Sequence, residues 1–136
     1  MNLFSRKEKQ NYIVIVGCGR LGASLAGALS DECNNVAIID IDKDSFRKLP
    51  LSYGGLSLIG DAMDVDVLKE AGIEKATAII VVTNNDNTNI MIAQIAKEIF
   101  KKSCVIARLY DPERECIYRE FSINTICPAI LSANEI

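Results

Sequence analysis

A glycine-rich stretch close to the start of the chain carries its clearest chemical signal. It lies between an apolar run and a segment with helical periodicity, and it reads Gly17-Cys18-Gly19-Arg20-Leu21-Gly22. The next apolar run along the chain ends in an acidic residue, Asp40. A G-x-G-x-x-G loop between a strand and a helix, with an acid closing the following strand, is the fingerprint of dinucleotide binding.

The residues of this fingerprint have separable physical roles. Gly17 permits a tight turn, Gly19 lets the backbone approach a pyrophosphate, and Gly22 lets the helix lie close to the sheet. Free amides and the helix dipole at that helix start favour an anion. Asp40 would accept hydrogen bonds from ribose hydroxyls and repel a 2′-phosphate, which favours NAD or an adenine nucleotide over NADP. The alternative is that these glycines only make a compact turn.

Bulk properties limit the classes of function. The 136 residues predict one domain, and an apolar content of 49% suffices for a sizeable core. A net charge of −3 argues against nucleic-acid binding. We expect no direct membrane insertion, because no apolar run approaches the roughly 20 residues that span a bilayer. The expected organisation is a polar leader at 1–10, a nucleotide-binding domain at 11–130, and the start of a linking helix or a truncation point at 131–136.

The five cysteines and the absence of histidine limit the kinds of metal site and redox chemistry that the chain can support. Without histidine, mixed Cys/His zinc sites are excluded, and we expect no metal site. The cysteines are typical of reduced thiols in a cytosolic protein. Cys18 lies in the glycine loop, where it is either a small residue that fits the turn or a thiol mildly activated by the helix start.

Strand-like and helix-like patterns alternate along the chain. This alternation predicts an α/β fold, a Rossmann-like doubly wound sheet of six parallel strands with about five helices, and a ligand across strands one and four. The predicted strands are Tyr12 to Val16, Val36 to Ile39, Leu56 to Ile59, Ala76 to Val82, Cys104 to Ala107 and Thr125 to Ile126.

Helical periodicity and capping residues predict the helices. The apolar face of the first comprises Leu21, Leu25, Ala28 and Leu29, and that of the long fourth comprises Ile92, Ile95, Ala96 and Ile99. A short helix is expected over Asp42 to Leu49, and another, capped by Asp61 or Asp64, ends near Ala71 with Gly72 as its left-handed residue. Asp111 and Pro112 are typical of a helix start.

Groups for catalysis are missing from the pattern. Hydride transfer needs a surface that holds substrate beside the nicotinamide, commonly with a His, Lys or Tyr acid or base. The chain has no histidine and no Tyr-x-x-x-Lys pair. We therefore expect a non-enzyme that binds a nucleotide and responds by a shift in conformational population. The alternatives are the cofactor domain of an NAD-dependent dehydrogenase and a scaffold that binds no nucleotide.

Several motifs together resemble the nucleotide-binding domain of the regulators of potassium conductance, the RCK/KTN family of Trk and Ktr potassium-transport regulators. In the family's order they are Gly17 to Gly22, Ile39-Asp40-Ile41-Asp42, Gly60-Asp61-Ala62, Val82-Thr83-Asn84-Asn85-Asp86 and Ala107-Arg108. The resemblance implies a cytoplasmic regulator, peripheral to the membrane, whose partner is a potassium transporter or channel subunit. It also implies a homodimer that assembles into a ring, and NAD or NADH, or alternatively ATP, ADP or AMP, as ligand.

The same resemblance implies roles for residues outside the glycines. Arg20 would lie near the ligand phosphates, Asp61 and Ala62 would flank the adenine, and Thr83 and Asn84 would line the floor. Arg108 would lie near the phosphates or at a subunit contact. Each of these roles has an alternative. Asp61 would be only a helix cap, and Thr83 and Asn84 would be ordinary turn residues. Arg20 would be a solvated side chain, and Arg108 would pair with Asp111. The candidate cofactor-binding residues are therefore Gly17, Gly19, Arg20, Leu21, Gly22, Asp40, Ile41, Asp61, Ala62, Thr83, Asn84 and Arg108.

Overall fold

Strands and helices alternate in the computed structural model, which describes residues 11–126. Within that range the strands are β1 Tyr12–Val16, β2 Asn35–Asp40, β3 Leu56–Ile59, β4 Ala78–Val81, β5 Val105–Arg108 and β6 Asn124–Ile126. The α-helices are α1 Arg20–Asp31, α2 Val65–Glu70, α3 Asp86–Glu98 and α4 Glu115–Glu120. Short 3-10 helices cover Lys43–Lys48, Ile73–Lys75 and Pro112–Arg114.

The six strands form one parallel sheet in the order β3-β2-β1-β4-β5-β6. Strand β1 pairs with both β2 and β4, and Val16 lies opposite Ile39 on one side and Val81 on the other. The strand order therefore reverses between β1 and β4, which opens a crevice at their carboxyl ends. The predicted doubly wound, Rossmann-like fold is confirmed.

Both faces of the sheet are covered by helices. Val14 and Val16 belong to a core cluster shared with α3, whereas Ile13 and Ile15 belong to a second cluster shared with α1. A central parallel strand that is buried on both faces has no polar side to alternate with its apolar side. This explains why the central strands are continuous apolar runs in the sequence.

The buried face of α1 differs by one position from the prediction. Its fully buried residues are small, whereas the predicted leucines are half-buried and Ala28 is exposed. The small residues allow the helix axis to approach the sheet, so the larger leucines lie at the flanks of the contact. The buried set is Gly22, Ala23, Ala26 and Gly27.

The predicted face of α3 was wrong at Ile99, which is 56% exposed, whereas Ile92 and Ala96 are buried and Ile95 packs against the core. The face toward the sheet begins one turn earlier and consists of Asn89, Ile92, Ala93 and Ala96. A polar residue at the start of this stripe hides it from an apolar pattern.

The helix starts and the helix count also differ in part from expectation. The helix predicted over Asp42 to Leu49 is the 3-10 helix Lys43–Lys48, in which the Asp42 side chain accepts the Asp44 N–H at 2.9 Å. Helix α2 is capped by Asp64, and not by Asp61. Gly72, with φ of 90°, has the predicted left-handed conformation. Five helices were expected, whereas the described range has four α-helices and three 3-10 helices.

The ends of the chain lie outside the described residues. The predicted leader at 1–10 and the predicted linking segment at 131–136 therefore stay predictions. Among the helices of residues 11–126, none combines the length and apolar character needed to cross a bilayer.

Candidate functional site

A cleft of about 610 Å³ lies at the reversal point of the strand order. Its floor is formed where β1, β2 and β4 end, at Val16, Ile39 and Val82, and one wall follows β3 at Gly60. Such a volume is within the range of sites for small molecules and cofactors. The topology thus places the open space where parallel doubly wound sheets bind their ligands.

Two glycines of the loop are required by the fold itself. Gly17 has φ of 105°, and a Cβ there would lie 2.9 Å from the carbonyl carbon and oxygen of Val82. A Cβ at Gly22 would lie 1.8 Å from the carbonyl oxygen of Gly17. Both positions therefore exclude a side chain because backbone atoms already occupy the space.

Gly19 differs from both, because its missing side chain faces open space. Apart from its chain neighbours, no heavy atom of residues 11–126 lies within 4 Å of the position of a Cβ there. Gly19 precedes α1, and no side chain in the described part of the protein caps that helix start. The first-turn amides of α1 are therefore available to an anion that enters above Gly19.

Asp40 ties the glycine loop to the end of β2. Its Oδ2 accepts the Cys18 N–H at 2.7 Å, and its Oδ1 accepts the Asp42 N–H at 2.8 Å. Each carboxylate oxygen keeps a further lone pair for a ligand hydroxyl. Asp40 is thus both a structural acceptor for the loop and a candidate ribose acceptor.

The wall beyond β3 places Asp61 and Ala62 in the cleft. Asp61 Oδ1 accepts the Met63 N–H at 2.9 Å, and Ala62 is 3% exposed. The Gly60 N–H donates to the Asp40 carbonyl at 3.0 Å, which fixes this wall relative to β2. Asp61 therefore shapes the turn before α2 and keeps an exposed carboxylate at the cleft.

A buried amide, Asn89, organises the end of β4. Its Oδ1 accepts from the Thr83 N–H at 3.0 Å and from the Thr83 hydroxyl at 2.5 Å. Its Nδ2 donates to the Thr83 and Arg108 carbonyls, both at 3.2 Å. The Tyr118 hydroxyl also donates to the Arg108 carbonyl at 3.2 Å, and burial raises the pKa of Tyr118 to about 12, so this donor stays protonated. Asn89 and Tyr118 together join α3 and α4 to the ends of β4 and β5.

We expect Asn89→Ala to lower the free energy of unfolding by about 2 kcal/mol, because it removes the amide partners of the Thr83 N–H and carbonyl and one of the two donors to the Arg108 carbonyl. Urea denaturation measures the change. The matched control is Asn87→Ala on the exposed side of α3, which removes only a solvent-exposed hydrogen bond from Arg114 and should change stability by less than about 1 kcal/mol. Equal effects of the two substitutions would contradict the role assigned to the buried amide.

The environment of Cys18 does not support an activated thiol. Cys18 is fully buried, and its Sγ donates to the Ser45 carbonyl at 3.4 Å. Burial raises the pKa of the thiol, and the Asp40 carboxylate raises it further. The suggested activation at the helix start is therefore wrong, and the reading of Cys18 as a small residue that fits the turn is favoured.

Nine of the twelve candidate residues line this cleft. They are Gly17, Gly19, Arg20, Asp40, Ile41, Asp61, Ala62, Thr83 and Asn84. Leu21 and Gly22 lie behind the loop in the packing of α1, and Arg108 is not among the lining residues. The cleft also includes residues outside the candidate set, which are Val16, Ile39, Asp42, Ser45, Lys48, Gly60, Val82, Asn85, Thr88 and Ile92. A helix-capping signal in the sequence could have found Asn85 and Thr88, because the Asn85 side chain accepts the Thr88 N–H at the start of α3. No sequence signal pointed to Ser45 or Lys48.

Arg108 is the last residue of β5 and is not part of the cleft lining. Its guanidinium stacks on the Tyr110 ring at 4.2 Å from the ring centroid. Asp111 pairs with Arg114 at 3.8 Å, so the Arg108–Asp111 pair is not formed. A role for Arg108 at a subunit contact stays a prediction.

Sequence comparison identifies relatives over most of the chain. The TrkA-N domain model matches residues 13–128. The chain is 44% identical over 124 residues to the Trk system potassium uptake protein TrkA of Streptomyces coelicolor, covering 91% of this chain and 56% of that protein. It is 37% identical over 109 residues to a TrkA homolog of Pyrococcus abyssi, covering 80% of this chain and 48% of the homolog. The chain thus spans about half the length of these curated relatives.

Solved structures share the fold. The GsuK RCK domain has a TM-score of 0.74 and 26% identity, covering 88% of this chain and 25% of that chain. The Kef C-terminal domain of Shewanella denitrificans in its AMP-bound form has a TM-score of 0.76 and 22% identity, over 90% of this chain and 75% of that chain. The GsuK channel bound to NAD has a TM-score of 0.71 and 19% identity, over 89% and 22%. With the family model matching most of its length, the chain belongs to the TrkA-N domain family.

Proposed function

We propose that this domain binds NAD(H) or an adenine nucleotide in the cleft and that the bound ligand is a regulatory signal for a membrane potassium uptake system. The observation that carries the proposal is the polarity of the cleft. The cleft is lined by groups that favour an anion, the uncapped first-turn amides of α1 and the Arg20 side chain, and by the acceptor carboxylates of Asp40 and Asp61. A nucleotide matches both kinds of group, because its phosphates are anionic and its ribose donates hydrogen bonds.

The relatives support both halves of this proposal. Matched proteins are named for Trk potassium uptake, and two structural neighbours are bound to AMP and to NAD. Asp40 favours an unmodified ribose, because its oxygens already accept two backbone N–H groups and its charge would repel a 2′-phosphate. We therefore propose NAD(H), or alternatively ATP, ADP or AMP, rather than NADP.

The proposed role is a signal without turnover. A ligand that binds one conformation more tightly shifts the population toward it. In that role the domain would act at the membrane through a potassium transporter or channel subunit, as a homodimer that assembles into a ring. Sedimentation velocity at micromolar concentration tests self-association.

Calorimetric titration with NAD, NADH, ATP, ADP, AMP and NADPH tests ligand binding. We expect at least one ligand without a 2′-phosphate to bind more tightly than NADPH. If none of the ligands bound, a scaffold that binds no nucleotide would be the better hypothesis.

Incubation with NADH and carbonyl substrates, followed by absorbance, tests the dehydrogenase alternative. Steady turnover would overturn the proposal of a pure signal.

We expect Asp40→Asn to weaken nucleotide binding about tenfold. The amide has one acceptor oxygen instead of two, so it cannot serve both backbone N–H groups and a ribose hydroxyl as well. The control is Asp44→Asn in the adjoining 3-10 helix, since the Asp44 side chain is 74% exposed and pairs with Arg47 outside the cleft. An unchanged dissociation constant for Asp40→Asn, measured on a protein with wild-type melting behaviour, would remove Asp40 from the site.

A further inference from the structure

Lys48 lies where the cleft meets a second depression on the surface. It is the last residue of the 3-10 helix Lys43–Lys48, and it lines both the cleft and an adjoining groove of about 580 Å³ along α1. Arg20, at the start of α1, lines the same two spaces. Arg20 and Lys48 are therefore the residues that the cleft and the groove share, and we call this junction the mouth.

Neither cation forms an ion pair within residues 11–126, although Asp31 lines the groove and Asp40, Asp42 and Asp61 line the cleft. The ion pairs of residues 11–126 involve Arg47, Arg114 and Arg119, and neither Arg20 nor Lys48 takes part in one. Arg20 also stands at a helix N-terminus, where a positive charge is unfavourable unless an anion is near. Two unpaired cations at one mouth would repel each other without an anion between them.

The charge of Lys48 reaches the glycine loop. It lowers the pKa of the Cys18 thiol, against the larger opposing effects of burial and of Asp40. Cys18 follows Gly17 and precedes Gly19, above which the open space for an anion lies. Lys48 therefore lies close enough to the glycine loop for its charge to act on a residue of that loop.

The other cations of this turn have different surroundings. Arg47 pairs with Asp44 at 3.9 Å, and Lys43 lines neither the cleft nor the groove. The position of Lys48 at both spaces is thus a feature of that residue, and not of a generally basic turn.

We propose that Lys48 is a specificity-determining residue that contacts the second phosphate of an adenine nucleotide and so favours ADP over AMP. This inference rests on the proposed function. The first phosphate would lie on the α1 amides above Gly19, and the next would lie toward the mouth, between Arg20 and Lys48. A monophosphate lacks the group that reaches this mouth.

The test compares ADP and AMP binding by calorimetry in the wild type, Lys48→Gln, Lys48→Arg and the control Lys43→Gln. We expect the wild type to prefer ADP and Lys48→Gln to reduce the ratio of the AMP to the ADP dissociation constant about two- to fivefold, as for one exposed ion pair. Lys48→Arg should retain the ratio and Lys43→Gln should leave it unchanged. The reduction should shrink in high salt, because exposed charges are screened.

The outcomes separate the inference from the proposed function. Structural damage would weaken ADP and AMP binding equally, so an unchanged ratio in Lys48→Gln overturns the inference. A wild-type domain that binds NADH or AMP but does not prefer ADP also overturns the inference and leaves the proposed function intact. A wild-type domain that binds none of the nucleotides overturns both.

Discussion

Replacing Gly22 by alanine is expected to lower the free energy of unfolding by about 3 kcal/mol or more. The added Cβ would lie 1.8 Å from the Gly17 carbonyl oxygen and 3.3 Å from Val82 Cγ2. The Gly17 backbone cannot retreat easily, because its N–H donates to the Ile39 carbonyl at 2.8 Å and its own Cα faces the Val82 carbonyl. Relief of the clash therefore requires α1 to move away from the sheet. Urea denaturation measures the loss.

Gly54 is the matched control for this substitution. A Cβ at Gly54 would meet only Ser30 Oγ, at 3.9 Å. Gly54→Ala should leave stability unchanged or raise it by about 0.4–1 kcal/mol, since alanine restricts the unfolded chain. If Gly22→Ala stayed within about 1 kcal/mol of the wild type, the close approach of α1 to the glycine loop would be contradicted.

The sheet could be predicted from the sequence because the patterns that mark its strands lie within short stretches of the chain. Parallel strands covered on both faces are continuous apolar runs, and a glycine loop followed by an acid marks the first βαβ unit. The apolar runs of the sequence are longer than the strands where buried residues extend beyond the residues paired in the sheet, as Ala76 and Val82 do at the two ends of β4. The doubly wound parallel sheet followed from the alternation and was confirmed, and its strand order reverses between β1 and β4, the two strands across which the ligand is predicted.

The parts of the site that were missed depend on contacts between elements. Asn89 occupies a position in α3 that an apolar pattern treats as a break, and only the fold shows that its amide meets Thr83 and Arg108. Lys48 closes a short polar turn, a context that it shares with most solvated lysines. Its importance arises because that turn lies beside the start of α1, and sequence spacing does not encode this neighbourhood.

Gly19→Ala is expected to separate ligand binding from folding. Its backbone, with φ of −83° and ψ of −163°, is extended and accessible to alanine, and a Cβ there meets no described heavy atom beyond its chain neighbours. Alanine restricts the unfolded chain, which raises the free energy of unfolding, but it is a weaker helix cap than glycine, which lowers it. The free energy of unfolding should therefore stay within about 1 kcal/mol of the wild type.

Nucleotide affinity in Gly19→Ala should nevertheless fall by about 30- to 100-fold. Phosphate oxygens must come within about 3 Å of the first amides of α1 to accept their hydrogen bonds, and the new methyl group occupies that approach. Calorimetric titration with NADH and ADP measures the loss, with Gly54→Ala as a control that should bind both like the wild type. Wild-type affinity in Gly19→Ala would mean that the phosphates lie elsewhere, and the space above Gly19 would then need another explanation. We therefore expect opposite outcomes at the two positions of this loop. Gly19→Ala should lose ligand affinity because its added Cβ faces the cleft, and Gly22→Ala should lose stability because its added Cβ meets the Gly17 backbone.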